Sequence, residues 1–262
     1  MKKKKAHVLA LTCNKGGVGK TTTAASVGGY LASTGAGRVL LVDLDPQMNL
    51  TTTFTDGVFD RTILDAFQDF KRRMKTDLPV YNIRENLDIV PSQVDIFSVE
   101  KDFNSFMLRD EMLRRLLEPL KGEYDWILID CPTLIGTITN NALLAADSVI
   151  IPLSCDAYSI DGLNQIMGIV ELAQEINIDL RVLGIVITKY RARRVTDQVI
   201  GDELAKHYGK LLFNTRIREN AAIARAPLVK KDIFAYDPAS VGAIDYSAFS
   251  EEVIKSLKEG KH

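Results

Sequence analysis

Short runs of nearly unbroken apolar residues alternate along the chain with longer stretches in which apolar positions recur every three or four residues. The runs His7–Thr12, Arg38–Asp43, Leu87–Val90, Trp126–Asp130, Ser148–Leu153 and Leu180–Ile187 are rich in Val, Ile and Leu. That texture predicts strands covered on both faces. Helices are predicted between them at Thr22–Ser33, Ser105–Leu120, Asn140–Ala145, Ser159–Ile176, Thr196–His207 and Tyr246–Lys258, the first closed by Gly35 and Gly37. Such alternation predicts the α/β class: a mainly parallel, twisted sheet with helices on both faces. The stretch Thr55–Asn86, with a helix at Thr62–Met74, interrupts the pattern and reads as a surface excursion, serving either a partner or packing. No linker or fixed-period repeat divides the chain, so a single domain is expected over residues 7–262 after a basic tail at 1–6.

Composition narrows this only a little. Lys and Arg number 33 against 34 Asp and Glu, a net charge of −1, so overall charge does not advertise nucleic acid. With 46% apolar and 26% charged residues the chain has the profile of a soluble globular protein. No apolar run approaches the roughly 18 residues of a membrane span, so no stable membrane insertion is expected. The three cysteines, Cys13, Cys131 and Cys155, have no C-x-x-C spacing, which predicts buried thiols in a reducing cytoplasm. Lys2–Lys5 are followed by no cleavage-type site and do not read as a secretory signal.

The chemistry concentrates after the first strand. Asn14-Lys15-Gly16-Gly17-Val18-Gly19-Lys20-Thr21-Thr22 follows a strand and opens a helix, the context of a phosphate-binding P-loop. Glycines let backbone amides turn around phosphate oxygens, and the helix start adds a favourable dipole. In such a loop Lys20 supplies charge to the β- and γ-phosphates and Thr21 a hydroxyl for Mg²⁺. Asn14 stands where the strict pattern has glycine, and asparagine tolerates the left-handed backbone such a turn could need. Past the second strand, Asp43-Leu44-Asp45-Pro46-Gln47 sets carboxylates at a strand's C-terminal end, where open α/β sheets bind ligands. Asp130, at the end of Trp126–Asp130, is placed to hold Mg²⁺ through water.

The run K-G-G-V-G-K-T-T resembles the deviant Walker A motif of the ParA/MinD group of P-loop ATPases. Further likeness to ParA/Soj-type partition ATPases lies in V-D-L-D-P-Q, Ile89-Val90-Pro91-Ser92, Ala145–Pro152, Asp161-Gly162-Leu163, Thr215–Asn220, Ala226-Pro227 and Gly242–Tyr246. The resemblance implies a slow, partner-stimulated Mg²⁺-dependent ATPase. It implies that Lys15 crosses an ATP-bound homodimer to the other subunit's phosphates, that Asp45 orients the attacking water, and that Asp43 lies in the outer metal shell. It also implies nucleotide contacts from Gly16, Gly17, Val18, Gly19, Thr22, Thr188 and Arg218. Departures from the family pattern are Pro132-Thr133 in place of two prolines, Met48 for Gly, Arg218 for Pro and Ala222 for Arg.

Thr188-Lys189-Tyr190-Arg191 is close to a guanine-reading box, but Arg191 offers only donors where that box needs a carboxylate, which favours ATP over GTP. The resemblance further implies a ParB-like adaptor or centromere-binding protein, non-specific DNA in the ATP state, and a cytoplasmic, nucleoid-associated location. Candidate DNA contacts are Lys189, Arg191, Arg193, Arg194, Arg225, Lys230 and Lys231, near Arg216 and Arg218, with a solvated basic face as the less favoured alternative. Two other classes compete with partition. A Min-type membrane-associated ATPase would need a terminal amphipathic helix, for which Phe249–Lys258 is the candidate. A metabolic or kinase role on the same fold has no further motif in its favour.

Overall fold

The apolar runs become the centre of one sheet. The structure, a computed structural model, describes residues 5–156 and 159–259. Among these residues the strands are His7–Leu11 (β1), Val39–Asp43 (β2), Tyr81–Arg84 (β3), Leu87–Val90 (β4), Trp126–Asp130 (β5), Ser148–Ser154 (β6), Arg181–Tyr190 (β7) and Leu212–Arg218 (β8). Their order is β3-β4-β2-β5-β1-β6-β7-β8, and every neighbouring pair is parallel except β3 with β4. The helices are Lys20–Ser33 (α1), Asn49–Phe54 (α2), Ile63–Arg73 (α3), Val99–Asp102 (α4), Met112–Leu117 (α5) and Thr137–Ala145 (α6). They continue as Ser159–Gln174 (α7), Val195–Tyr208 (α8), Ala221–Arg225 (α9), Ile233–Tyr236 (α10) and Val241–Glu259 (α11).

Successive side chains of a strand face opposite ways, so each central strand feeds two cores. Val8 and Ala10 of β1 and Leu40 and Val42 of β2 pack with Phe67, Ala142 and Ile166, from α3, α6 and α7. Leu9, Leu11, Val39 and Leu41 pack instead with Leu31 of α1 and Phe249 of α11. The expected α/β fold with helices on both faces is therefore present. Tyr246, Phe249 and Val253 commit the apolar side of α11 to this core, and no described helix is long and apolar enough to cross a membrane.

The structure departs from the pattern-based expectation at the sheet edges and in one helix. β3 and β8 are strands that the apolar texture does not announce, and β3 takes part of the Thr55–Asn86 excursion into the sheet. The helix expected at Ser105–Leu120 is reduced to α5. Asn141 accepts the Leu113 amide at 2.9 Å and donates to the Arg109 carbonyl, while Asn140 donates to Asp110 at 3.1 Å. These contacts hold residues 103–111 in turns, a tertiary claim that outweighs helix propensity. Of the basic tail, Met1–Lys4 lie outside the described residues, whereas Lys5 pairs with Glu118 at 2.6 Å.

One ion pair ties an edge strand to the C-terminal part of the fold. Asp232 is buried, caps α10 by accepting the Phe234 and Ala235 amides, and is paired with Arg84 of β3. Removing the cation leaves a buried carboxylate with only amide partners. Arg84→Ala is expected to destabilise the protein by about 1–3 kcal/mol, less than a fully enclosed pair because the arginine is partly exposed. Thermal melting would show this as a lower midpoint, and an unchanged midpoint would mean that the pair adds nothing.

Candidate functional site

β1 occupies the point where the chain's connections diverge, through α1 to β2 on one side and from β5 through α6 to β6 on the other. Clefts at such switch points open at the strands' C-terminal ends. There the loop after β1 makes its turn at Gly17 (φ 75°) and Gly19 (φ 88°), left-handed positions that glycine adopts without a Cβ clash. Gly19 is the residue before α1, so the first-turn amides of Lys20, Thr21 and Thr22 have no partner within the helix. Asn14 does not take the left-handed conformation that its place in the motif suggested. Its amide instead donates to Gln165 at 2.6 Å, which anchors the loop to α7.

Two joined cavities open on this loop. The first, about 460 Å³, is bordered by Gly16, Gly17, Thr21, Asp45 and Thr133. The second, about 320 Å³, lies beside Thr188, Ile217, Asn220, Ile223 and Tyr246. Gly19, Thr22, Lys189 and Pro227 border both, so they form one groove with two lobes. The Lys20 ammonium reaches the Lys15 carbonyl at 3.3 Å and the Thr133 hydroxyl at 3.1 Å. Asp45 borders the first lobe and is fixed there by accepting the Gln47 amide at 2.9 Å.

Asp43 and Asp130 are register partners at the ends of β2 and β5, and both are fully buried. Asp43 accepts the Asp45 amide at 3.0 Å and the Thr51 amide and hydroxyl at 2.8 and 2.7 Å. Burial pushes its carboxyl up to about 6, with the Thr51 and Asp45 hydrogen bonds opposing the rise and the Asp45 charge adding to it. Asp43 thus builds the turn that presents Asp45 and docks α2. Asp130 differs, because neither of its oxygens receives a well-formed hydrogen bond. Burial pushes it well above the usual carboxylate range and Asp43 pushes further, against the Thr21 hydroxyl and the Lys20 ammonium. A buried carboxylate that no protein donor saturates, next to the Thr21 hydroxyl, fits a hard cation with oxygen ligands.

Other expected site residues lie apart from the groove floor. Lys15 turns away from the first lobe and pairs with Asp156 of its own chain. Val18 is buried in the core, leaving only its backbone for a ligand. Thr188 donates to the Val18 carbonyl at 2.7 Å, tying β7 to the loop. Arg218 borders the second lobe, but its guanidinium is held by Asp245 at 2.6–3.2 Å. Of the basic candidates, Arg191 faces Asp197 and Glu219 at 3.6 Å, and Arg194 faces Asp197 at 3.7 Å. Arg193, Arg225 and Lys231 are exposed, and Lys230 donates to the Thr52 carbonyl at 2.9 Å. Lys189, also one of these candidates, borders both lobes. Sequence reasoning did not assign Thr133, Asn49, Thr52 or Thr53 to the first lobe, and only the Pro132-Thr133 departure could have signalled one of them. All three cysteines are buried free thiols; burial raises Cys13 and pushes Cys155 up to about 11.

A left-handed glycine loop between a parallel strand and a helix, with a buried lysine and a strand-end aspartate beside it, defines a P-loop nucleoside triphosphatase fold. A family described as "AAA domain" matches residues 6–182. The chain belongs to this family and is of its ParA/Soj type. It is 37% identical to the sporulation initiation inhibitor protein Soj of Bacillus subtilis, over 94% of this chain and 97% of Soj. Its identity to the chromosome partitioning protein ParA of Caulobacter vibrioides is 34%, over 97% and 96% of the two chains. Among solved structures it resembles the cobyrinic acid a,c-diamide synthase of Mycobacterium smegmatis with bound ADP and magnesium (TM-score 0.82, 31% identity, 97% and 96% covered). McdA of Cyanothece, in an ATP complex, has the same fold (TM-score 0.82, 21% identity, 97% of each chain covered).

Proposed function

We propose that the chain is a partition ATPase, an ATP-dependent dimerising switch that binds DNA without sequence preference in its ATP state and so positions a DNA or other cargo. The two-lobed groove carries the reading: a basic, glycine-lined lobe suits a triphosphate, and the lobe beside Ile217, Ile223 and Tyr246 suits a base. Its volumes are of the right order for a nucleotide, and the likeness to Soj and ParA supports the biological role.

Within this proposal Lys20 and the first-turn amides of α1 hold the β- and γ-phosphates. Thr21 and Asp130 hold magnesium, which when bound neutralises charge on the phosphate oxygens. Asp43 sits behind them as support. Asp45, on the wall of the phosphate lobe, orients the attacking water. Lys15 leaves Asp156 and enters the partner's phosphate lobe, which makes the γ-phosphate a condition of dimerisation. A basic surface around Arg191, Arg193, Arg194, Arg225 and Lys231 meets DNA phosphates, and a ParB-like adaptor stimulates hydrolysis. The location that follows is cytoplasmic and nucleoid-associated.

The deciding experiment measures binding to a random-sequence duplex with ATP, with ADP and without nucleotide, across a salt series. Binding with ATP alone, falling with log salt at a slope of about −5 for roughly six phosphate contacts, supports the proposal. Equal binding in all three states would refute the switch, and binding to anionic vesicles without DNA binding would select a membrane role.

A further inference from the structure

We infer that Lys189 is a nucleotide-contacting residue that clasps the nucleoside diphosphate portion of the ligand at the junction of the two lobes. The inference rests on the nucleotide reading of the groove and assigns a third lysine to it. Three features of the chain carry it.

The backbone comes first. Lys189 lies within β7, yet its φ is 51°, a left-handed value that a side-chain-bearing residue adopts at a cost. Its neighbour Thr188 is pinned to the P-loop through the Val18 carbonyl, so this irregular residue is held directly beside the loop.

The second feature is where the ammonium lies. A Cβ placed on Gly17 would be 3.9 Å from the Lys189 Nζ, which therefore sits over the glycine turn of the P-loop. Lys189 borders both lobes together with Gly19, Thr22 and Pro227. A charge at that junction is near the α- and β-phosphates and the sugar of a nucleotide whose base occupies the second lobe. Pro227 borders both lobes beside it.

The third feature is what the ammonium does not do. No hydrogen bond or ion pair engages it among the described residues. Arg191 and Arg194 on the following turn face Asp197, and Arg218 is clamped by Asp245. Lys189 is therefore a cation without an acid in a groove whose other bordering lysine is Lys20. An anion bound at the junction would gain a charge-assisted contact without displacing an existing one. Because the contact falls on the part shared by ADP and ATP, Lys189 holds the nucleotide through hydrolysis, whereas Lys15 and Asp45 answer to the γ-phosphate.

The test titrates Mg-ADP and Mg-ATP calorimetrically into the wild-type protein, Lys189→Met and Lys189→Gly, with Lys20→Ala as control. Methionine keeps the stem and removes the charge. Glycine suits the left-handed backbone, so it folds at least as well and separates binding from stability. Both variants are expected to bind ADP and ATP about tenfold more weakly, by the same factor for each nucleotide. DNA binding at saturating ATP is expected to stay at the wild-type level. Wild-type ADP affinity in both variants overturns the inference alone, as does a loss confined to DNA binding. A wild-type protein that binds no nucleotide, and is indistinguishable from Lys20→Ala, overturns the groove reading and this inference with it.

Discussion

Lys20→Ala is expected to lower ATP affinity by about 100-fold or more and to stop phosphate release. The substitution removes a nearly enclosed cation from the lobe that would take the γ-phosphate, where charge-assisted contacts count for most. It also unlinks two elements. The same ammonium ties the Lys15 carbonyl of the P-loop to the Thr133 hydroxyl after β5, so the loop from Pro132 to Gly136 loses its tie to the phosphate site. Nucleotide titration and a phosphate-release assay check the first effect, and amide exchange over that loop checks the second. Normal turnover in this variant would refute the assignment of the P-loop.

Asp130→Asn is expected to act in opposite directions on the free and the loaded protein. The folded carboxyls of Asp43 and Asp130 both lie above their unfolded values. A group raised in this way contributes stability below its unfolded pKa of about 3.9 and loses it as pH climbs through the folded value. For Asp43 that window runs from about 4 to about 6, and for Asp130 it extends upward from the same starting point. The ligand-free protein therefore loses stability toward neutrality through two adjacent buried carboxyls. The asparagine removes one of them and offers an amide to the other. Its melting midpoint at pH 7 should rise, by about 2–4 °C for each kcal/mol recovered, and fall less steeply between pH 4 and 7. Magnesium should then add little to ATP binding. A lower midpoint at neutral pH together with intact magnesium dependence would show that Asp130 is a structural acid.

The inner strands were legible because their runs are apolar at every position, as a strand buried on both faces must be. Tyr-Asn-Ile-Arg of β3 and Leu-Phe-Asn-Thr-Arg-Ile-Arg of β8 mix polar with apolar residues, since each edge strand has a face or an end in solvent. The short helix α2, Asn-Leu-Thr-Thr-Thr-Phe, has too few residues for a helical period to show. Asp43, not propensity, pins it through Thr51. At the site, the glycine spacing and the V-D-L-D-P-Q run pointed to residues that the structure brings together around the first lobe, among them Gly16, Gly17, Lys20 and Asp45. Lys189 was read as a DNA contact rather than a groove residue, because a left-handed residue inside a strand redirects its side chain in a way that no period records. Arg218 was readable as a cation, but not as one already claimed by Asp245, twenty-seven positions further along.

Under the proposed dimerisation, the hold of Asp156 on Lys15 bears on when two copies can join. A carboxylate tethered to the same chain acts like a reagent present at millimolar level, whereas a second copy arrives at whatever concentration the cell supplies. Chance encounters between empty copies would therefore leave the lysine where it is. A bound triphosphate carries more negative charge than one aspartate and can draw the lysine away from it, so under the proposed switch the clasp would set a threshold that filters collision from commitment. Weakening it with Asp156→Asn should let dimers form at lower protein concentration, and the system would then trade fidelity of timing for ease of assembly.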